Sequence, residues 1–206
     1  MQVLIFSWEY PPRKIGQLAE YIDSLSKELV KNGINTNIIT YHDFLTGTFE
    51  EKSGLKIVRI SNPVRSHISF LTWILTLNQE IERAAANIIY QQKEKIELIN
   101  VYDWHFIPAA LTLKNAFEIP ILYSIESLED YRSQKSSQPY NMAIKSIERL
   151  GCYESDRISV KSEAIKEAIM NSYDVSEKKI EVFGLDLSSN FKGIKNLLNT
   201  IKRRKK

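Results

Sequence analysis

Three stretches of this 206-residue sequence carry side chains that can bind a polar ligand and move protons. Each stretch follows an apolar run: Glu9 and Lys14 follow the first, Asp103 and His105 a later one, and Glu126 the next. Carboxylate, ammonium and imidazole groups make charged hydrogen bonds, and carboxylates and imidazoles also act as acids and bases. These residue types therefore indicate chemistry on a polyhydroxylated substrate such as a sugar.

Trp104 stands between the acid and the imidazole of the second stretch. An aromatic ring offers a flat face on which the C–H side of a sugar packs. Two simpler interpretations stay open for single residues: Trp104 belongs to the core, and Asp103 caps the helix that follows. Because three separate loops converge, we predict that the five polar residues line one cleft at the carboxyl edge of a sheet.

The elements that position these residues are predicted from hydrophobic periodicity. Short apolar runs alternate with segments whose apolar residues recur every three or four positions, which is typical of strands alternating with amphipathic helices. This alternation predicts an α/β protein with a single Rossmann-like, doubly wound parallel sheet. Strands are expected at 3–7, 35–41, 55–60, 98–102, 119–125, 157–160 and 179–183, and helices at 18–30, 68–95, 106–117, 142–153, 162–171 and 191–203.

Two segments are predicted to be irregular. Residues 42–54 are largely polar and contain two glycines, which indicates a loop or hairpin. Residues 126–140 are rich in polar side chains, so a long loop is expected there. Its part 127–138 is expected to be mobile, because it offers little apolar surface to bury beyond Leu128 and Tyr131.

Composition excludes several classes of protein. A content of 43% hydrophobic and 26% charged residues is ordinary for a soluble globular chain. The longest apolar stretch, Ile68–Leu77, is too short to cross a membrane, and the sequence starts with a strand rather than a signal peptide, so a cytoplasmic protein without a membrane span is expected. The single cysteine, Cys152, excludes intrachain disulfides and multi-cysteine metal sites.

The net charge of +3 depends on the last five residues, 202–206, which are all basic. Such a run is a signature of tails that bind nucleic acids or membrane surfaces. No aromatic residue is interleaved with it, so we interpret it as a solvated helix end whose charges complement the helix dipole. No nucleic-acid partner is expected.

The first eighteen residues resemble the opening of the glycogen synthase and starch synthase group of retaining glycosyltransferases and of related GT-B sugar transferases. In that group the first strand leads to Glu, Pro and then Lys-x-Gly-Gly-Leu, and here Glu9, Pro11 and Lys14–Leu18 occupy those places. The resemblance implies that Gly16 and Gln17 approach the substrate. Gln17 replaces the second glycine of the group, and its side chain restricts backbone angles and close approach.

Weaker motifs follow in the family's order. The segment Tyr102–Trp104 resembles a His-Asp-Trp element, 159–162 resembles a Val-Ser segment, and 182–186 resembles the interdomain signature Pro-Asn-Gly-Val-Asp. The strand at 119–125 resembles the one that carries a Thr-x-His segment, whose histidine lines the catalytic cleft, and here that position is Glu126. A carboxylate near a departing phosphate changes the electrostatics of the site.

The resemblance implies that residues 1–206 form the N-terminal, acceptor-side domain of a GT-B enzyme, with the second GT-B domain absent. The implied reaction transfers a hexose from a nucleotide sugar to a glucan or other carbohydrate acceptor, with retention and without metal or cofactor. The chain is expected to be inactive alone and to bind a nucleotide sugar only with a second domain, which a separate polypeptide could supply. The implied catalytic residues are Asp103, His105 and Glu126, and the implied substrate-binding residues are Glu9, Lys14, Gly16, Gln17 and Trp104.

Two other functions stay open. One is a non-catalytic carbohydrate-binding or regulatory domain derived from such an enzyme, which the departures at Gln17 and Glu126 favour. The other is a small nucleotide-binding Rossmann protein unrelated to sugar transfer. The second is weakened because no Gly-x-Gly-x-x-Gly motif follows the first strand.

Overall fold

The six residues Gln2–Ser7 form the central strand β1, and all six are buried because helices cover both faces of the sheet. They belong to a computed structural model that describes residues 1–52, 54–91, 95–184 and 186–203. The other strands are β2 (Asn35–Tyr41), β3 (Gly47–Lys52), β4 (Leu55–Ile60), β5 (Leu98–Tyr102), β6 (Ile121–Ile125), β7 (Arg157–Val160) and β8 (Ile180–Val182).

The strands form one sheet in the order β3-β4-β2-β1-β5-β6-β7-β8. Every pairing between described strands is parallel except that of β3 with β4. Strand β3 lies within 42–54, where a loop or hairpin was expected, and it forms an antiparallel hairpin with the strand that follows that segment. The predicted α/β, Rossmann-like, doubly wound sheet is therefore confirmed, with one antiparallel strand added at its edge. The strand order reverses at β1, which lies between β2 and β5, and ligands bind at the carboxyl end of such a switch point.

Alternating residues of β1 direct the two halves of the core. Val3 and Ile5 face one layer of helices, and Leu4 and Phe6 face the other. The first layer contains α1 (Leu18–Lys31) and α7 (Leu187–Arg203). The second contains α2 (Phe70–Gln91), α3 (Ile107–Phe117), α5 (Pro139–Glu154) and α6 (Glu163–Tyr173), and a short helix α4 (Glu129–Arg132) precedes α5.

The predicted loop at 126–140 is wrong in part. Residues Glu129–Arg132 form α4, and α5 begins at Pro139 rather than at residue 142. Leu128 and Glu129 are both buried, at 1% and 4% exposure. Some of the polar residues in this segment belong to a buried ionic cluster, which the polar composition alone does not reveal. The mobility of 127–138 stays a prediction. The predicted end of the second helix at 92–95 and the basic residues 204–206 fall wholly or partly outside the described residues.

The ionic cluster is centred on the carboxylate of Glu148 in α5, which is fully buried. This carboxylate accepts hydrogen bonds from the backbone N–H of Glu129 at 2.8 Å, the guanidinium of Arg132 at 2.6 Å and the hydroxyl of Tyr173 at 2.7 Å. Burial raises the pKa of Glu148, and the attraction of Arg132 opposes that rise. One side chain thus connects α4, α5 and α6.

Replacing Glu148 by alanine should lower the free energy of unfolding by about 1–3 kcal/mol, because the buried backbone N–H of Glu129 loses its acceptor and the partly exposed guanidinium of Arg132 loses its partner. Urea denaturation followed by circular dichroism measures this loss. Glu167 lies exposed on α6 and provides the matched control, since Glu167→Ala should leave stability unchanged. A Glu148→Ala protein as stable as the control would show that the cluster does not stabilise this part of the fold.

Candidate active site

Two clefts open at the carboxyl edge of the sheet, around the switch point. The first, here the acidic cleft, has a volume of about 230 Å³. The second, here the aromatic cleft, has a volume of about 690 Å³. Glu9, Gln17, Leu18, Asp103, Glu126 and Lys161 line the acidic cleft. The aromatic cleft is lined by the rings of Trp8, Tyr41, Phe70 and Trp73 and by polar residues that include Arg13, Asp43, Asn62, Arg65 and His67.

Glu9 fixes the loop that follows β1. Its carboxylate is buried and accepts hydrogen bonds from the backbone N–H groups of Ile15 and Gly16, the latter at 2.8 Å. A Cβ atom added at Gly16 would lie 3.5 Å from the other carboxylate oxygen of Glu9. Glu9 therefore holds the glycine loop against the sheet and brings the start of α1 to the cleft.

Gln17 does not distort this loop. Its backbone angles are φ −78° and ψ −17°, which lie in the ordinary right-handed helical region and require no glycine. The restriction that a side chain places on the backbone angles therefore causes no distortion here, and the glutamine adds a side chain at the wall of the acidic cleft. That this side chain hinders close approach to a substrate stays a prediction.

Asp103 has a strained backbone. Its φ is 54° and its ψ is −176°, a combination that residues other than glycine rarely adopt. Its carboxylate accepts hydrogen bonds from the backbone N–H groups of Glu126 at 2.9 Å and Ser127 at 3.4 Å. Burial raises the pKa of Asp103, and these hydrogen bonds oppose the rise. The strained residue therefore also connects the end of β5 to the end of β6 through these two hydrogen bonds.

Glu126 is a carboxyl group that titrates near neutrality. Burial raises its pKa to about 7, the negative charge of Asp103 adds to the rise, and Lys161 opposes it. The ammonium nitrogen of Lys161 lies 4.0 Å from a carboxylate oxygen of Glu126. Lys161 was not among the predicted site residues, although its position directly after β7 places it at the same edge of the sheet.

His105 does not join the acidic residues. Its imidazole stacks between the rings of Trp8 and Trp104, with centroids 4.9 Å and 4.5 Å away. Burial lowers the pKa of His105 to about 3, and the charges of Arg132 and Arg13 contribute. The imidazole is therefore neutral at physiological pH, and within the described structure its buried Nδ1 has no hydrogen-bond partner.

Two further predicted site residues lie away from the cleft. Lys14 points along the surface, where its ammonium contacts Glu20 at 2.9 Å. Trp104 is only 3% exposed and packs against Ile74 and Ile144, so the core interpretation is the correct one for this ring. The single predicted cleft is thus correct for Glu9, Asp103 and Glu126 but wrong for Lys14 and His105. The roles assigned to all these residues in substrate binding or catalysis stay predictions.

The aromatic cleft was not predicted from the sequence. Trp8 stacks on Tyr41 at a centroid distance of 5.0 Å, and the guanidinium of Arg13 lies 4.4 Å from the Trp8 ring. Arg13 also approaches Asp43 at 3.8 Å. Trp8 and Tyr41 stand at the ends of neighbouring parallel strands, which is the one signal in the sequence that could have paired them.

The strain at Asp103 predicts an unusual order of stability for two substitutions. Asp103→Gly and Asp103→Ala both lose the carboxylate, but only glycine relieves the strained backbone. The glycine variant should therefore be more stable than the alanine variant by about 1–2 kcal/mol, measured by urea denaturation. At Glu167, within a helix, alanine should instead be the more stable of the two. The same order at both positions would contradict strain at Asp103.

Comparisons with known proteins agree with this fold. Residues 18–184 match the family model described as Glycosyltransferase Family 4. An uncharacterized glycosyltransferase, MJ1607, from Methanocaldococcus jannaschii is 32% identical over 184 residues, which are 88% of this chain and 45% of that protein. A glycogen synthase from Mycobacterium tuberculosis is 21% identical over 90% of this chain and 49% of its own length. This chain therefore spans about half the length of the curated relatives it matches.

Solved structures show the same architecture. Sucrose-phosphate synthase from Thermosynechococcus elongatus superimposes with a TM-score of 0.69 at 17% identity, over 89% of this chain and 47% of that one. Arabidopsis thaliana UGT89C1 complexed with UDP-L-rhamnose superimposes with a TM-score of 0.63 at 11% identity, over 89% of this chain and 48% of that one. At these identities the likeness shows the fold, which is that of one Rossmann-like domain of a GT-B glycosyltransferase. Since the family model covers most of the sequence, the chain belongs to glycosyltransferase family 4.

Proposed function

We propose that this chain is the acceptor-side domain of a glycosyltransferase that transfers a hexose from a nucleotide sugar to a glucan or similar carbohydrate acceptor. The observation that carries the proposal is the acidic cleft, where Asp103, Glu126 and Lys161 converge at the switch point of the sheet. A second domain, or a separate polypeptide, would supply most of the contacts to the nucleotide. Family membership and the position of the cleft support this assignment.

Two features of the acidic cleft favour a departing phosphate and oppose the repulsion from its carboxyl groups. The N-terminus of α1 faces it through Gln17 and Leu18, and unpaired N–H groups at a helix start favour anions. The ammonium of Lys161 adds a positive charge on the opposite wall. Preorganised positive groups of this kind stabilise the negative charge that develops on a leaving group.

Two of the three carboxyl groups that line the acidic cleft, those of Asp103 and Glu126, have different tasks in this proposal. Asp103 orders the ends of β5 and β6 through its hydrogen bonds to the backbone at residues 126 and 127. Glu126 meets the substrate, and in its protonated form it donates a hydrogen bond to a sugar hydroxyl or a phosphate oxygen. His105 keeps its neutral ring inside the aromatic stack and positions Trp8 beside the cleft.

A non-catalytic carbohydrate-binding domain is the second candidate. The aromatic cleft favours it, because stacked rings beside Arg13 and Asp43 suit sugar binding without any reaction. The two candidates differ in what the acidic cleft contributes. Transfer requires it, whereas carbohydrate binding in the aromatic cleft does not.

Transfer should appear only when the donor side of the enzyme is present. The chain alone should transfer no sugar from UDP-glucose or ADP-glucose to an unlabelled maltooligosaccharide. One domain cannot orient both substrates, and their orientation supplies about 7–11 kcal/mol of the lowering of the barrier. A chimera in which this chain replaces the matching segment of the Methanocaldococcus jannaschii relative should show transfer, measured with a radiolabelled donor.

The matched control for this experiment is the same chimera with Asp103→Ala, whose rate should fall by about 100-fold or more, since the loop that carries Glu126 loses its anchor. Turnover by the chain alone would contradict the division of labour between two domains. A folded chimera that binds maltooligosaccharide without transferring sugar from any nucleotide donor would support the non-catalytic candidate.

The pKa of Glu126 predicts the pH dependence of transfer. Since the ionised carboxylate repels a departing phosphate, kcat/KM of the chimera should fall as pH rises through about 7, where Glu126 loses its proton. Glu126→Gln cannot ionise and should abolish this descending limb while the activity at pH 6 is retained within about tenfold. An unchanged limb in Glu126→Gln would assign the titration to another group.

A further inference from the structure

Large apolar side chains project into solvent from two loops beside the aromatic cleft. Phe44, in the loop after β2, is 93% exposed, and Ile68, in the segment after β4, is 99% exposed. Clusters of exposed apolar side chains on a soluble domain mark surfaces that bind something. These two residues and their partly exposed neighbours form what we call the apolar rim: Phe44, Leu45, Val64, Ile68 and Phe70.

The sheet topology places the whole rim at the mouth of one cleft. Strands β2 and β4 are adjacent and parallel, so the segments that follow them emerge at the same edge of the sheet. Asp43, next to Phe44, lines the aromatic cleft, as do Val64, Arg65 and His67, the last of them next to Ile68. The rim therefore flanks the opening of the aromatic cleft on two sides.

The side chains inside this cleft favour an anion. Arg13 and Arg65 are cationic, whereas Asp43 is the carboxylate among the residues that line the cleft. Arg13 is held in place by the rings of Trp8 and Tyr41, with its guanidinium carbon 4.4 Å and 4.8 Å from their centroids. Positive charge lies at the base and wall of the cleft, and hydrocarbon lies at its rim.

We propose that the aromatic cleft and its apolar rim form a docking site for an anionic membrane surface, with the charged headgroup of a lipid in the cleft and the lipid chains against the rim. The further step, that this lipid carries the acceptor sugar, rests on the function proposed above. No described helix is long and apolar enough to cross a membrane. The proposed contact is one of exposed side chains with the bilayer interface.

The shape of the rim favours a lipid surface over the other occupants. Phe44 and Ile68 stand as separate protrusions on two loops, and such side chains enter the headgroup region of a bilayer without a matching protein surface. A soluble sugar would use the rings and charges inside the cleft but would leave both protrusions in water. Anionic lipids complement Arg65 and Arg13, since each basic side chain near the surface strengthens binding.

Flotation with vesicles tests the docking site. The chain should float with vesicles of phosphatidylcholine and phosphatidylglycerol in a 7:3 ratio, and much less with phosphatidylcholine alone. Phe44→Ser combined with Ile68→Ser should weaken binding to the anionic vesicles by at least about 100-fold, because two large apolar side chains no longer enter the lipid. Arg65→Gln should weaken binding to the anionic vesicles by about fivefold, and added salt should also weaken it.

Tyr153 provides the matched control. It is 78% exposed at the end of α5, a helix that leads into the start of β7 and so ends at the opposite edge of the sheet. Tyr153→Ser removes a large, mostly exposed aromatic side chain away from the rim and should leave vesicle binding unchanged. All variants change exposed side chains, and urea denaturation of each confirms that the fold is intact.

Three results would overturn the docking site. They are an absence of binding to either kind of vesicle, binding that the rim variant does not alter, and sedimentation of the chain as a dimer that the rim variant dissociates. Flotation needs no nucleotide sugar, so it is independent of the transfer assay. If the chain binds vesicles but its chimera transfers no sugar, only the proposed function is refuted. If the chimera glycosylates maltooligosaccharide but the chain does not bind vesicles, only the docking site is refuted.

Discussion

The carboxylate of Asp103 determines how the carboxyl edge of this sheet is arranged. The backbone of Asp103 turns the chain out of β5 with a φ of 54°, and its carboxylate accepts a hydrogen bond from the backbone N–H of Glu126 at 2.9 Å. A strained residue persists only where the surrounding structure compensates for it, and here the compensation is the buried hydrogen bond to the next strand end. The same bond brings the carboxyl group of Glu126 beside Asp103. Burial raises the pKa of Glu126 to about 7, and the negative charge of Asp103 adds to the rise. Backbone geometry therefore contributes to the acid–base chemistry of the acidic cleft.

The two clefts are separated by a single step along the chain. Trp8 enters the aromatic cleft and its neighbour Glu9 enters the acidic one, because successive residues of an extended chain point to opposite sides. The Trp8 ring lies between Tyr41 and His105, so rings from three loops stack across the edge of the sheet. Within the aromatic cleft, Arg13 is fixed by the same rings.

Periodicity predicted the sheet, its doubly wound order and the edge at which Glu9, Asp103 and Glu126 meet, since each of these depends only on where a strand ends. Side-chain direction within a loop could not be predicted in this way. His105 follows Asp103 by two residues, yet a 3₁₀ turn over Trp104–Phe106 rotates it into the aromatic stack. The buried cluster around Glu148 was also missed. Its partners lie on three elements, and polar residues in sequence look alike whether they are buried in pairs or exposed.

The two departures from the family pattern have different physical consequences. Gln17 adopts ordinary helical backbone angles, which a glycine could also adopt, and its side chain lines the acidic cleft. Glu126 introduces a charge, but burial and Asp103 shift its pKa to about 7, so near neutral pH a large share of the molecules carry it uncharged. A neutral carboxyl donates one hydrogen bond and accepts others, as a neutral imidazole does. The electrostatic objection to a carboxylate beside a departing phosphate therefore weakens as the pH falls, and Lys161 offsets the charge that remains.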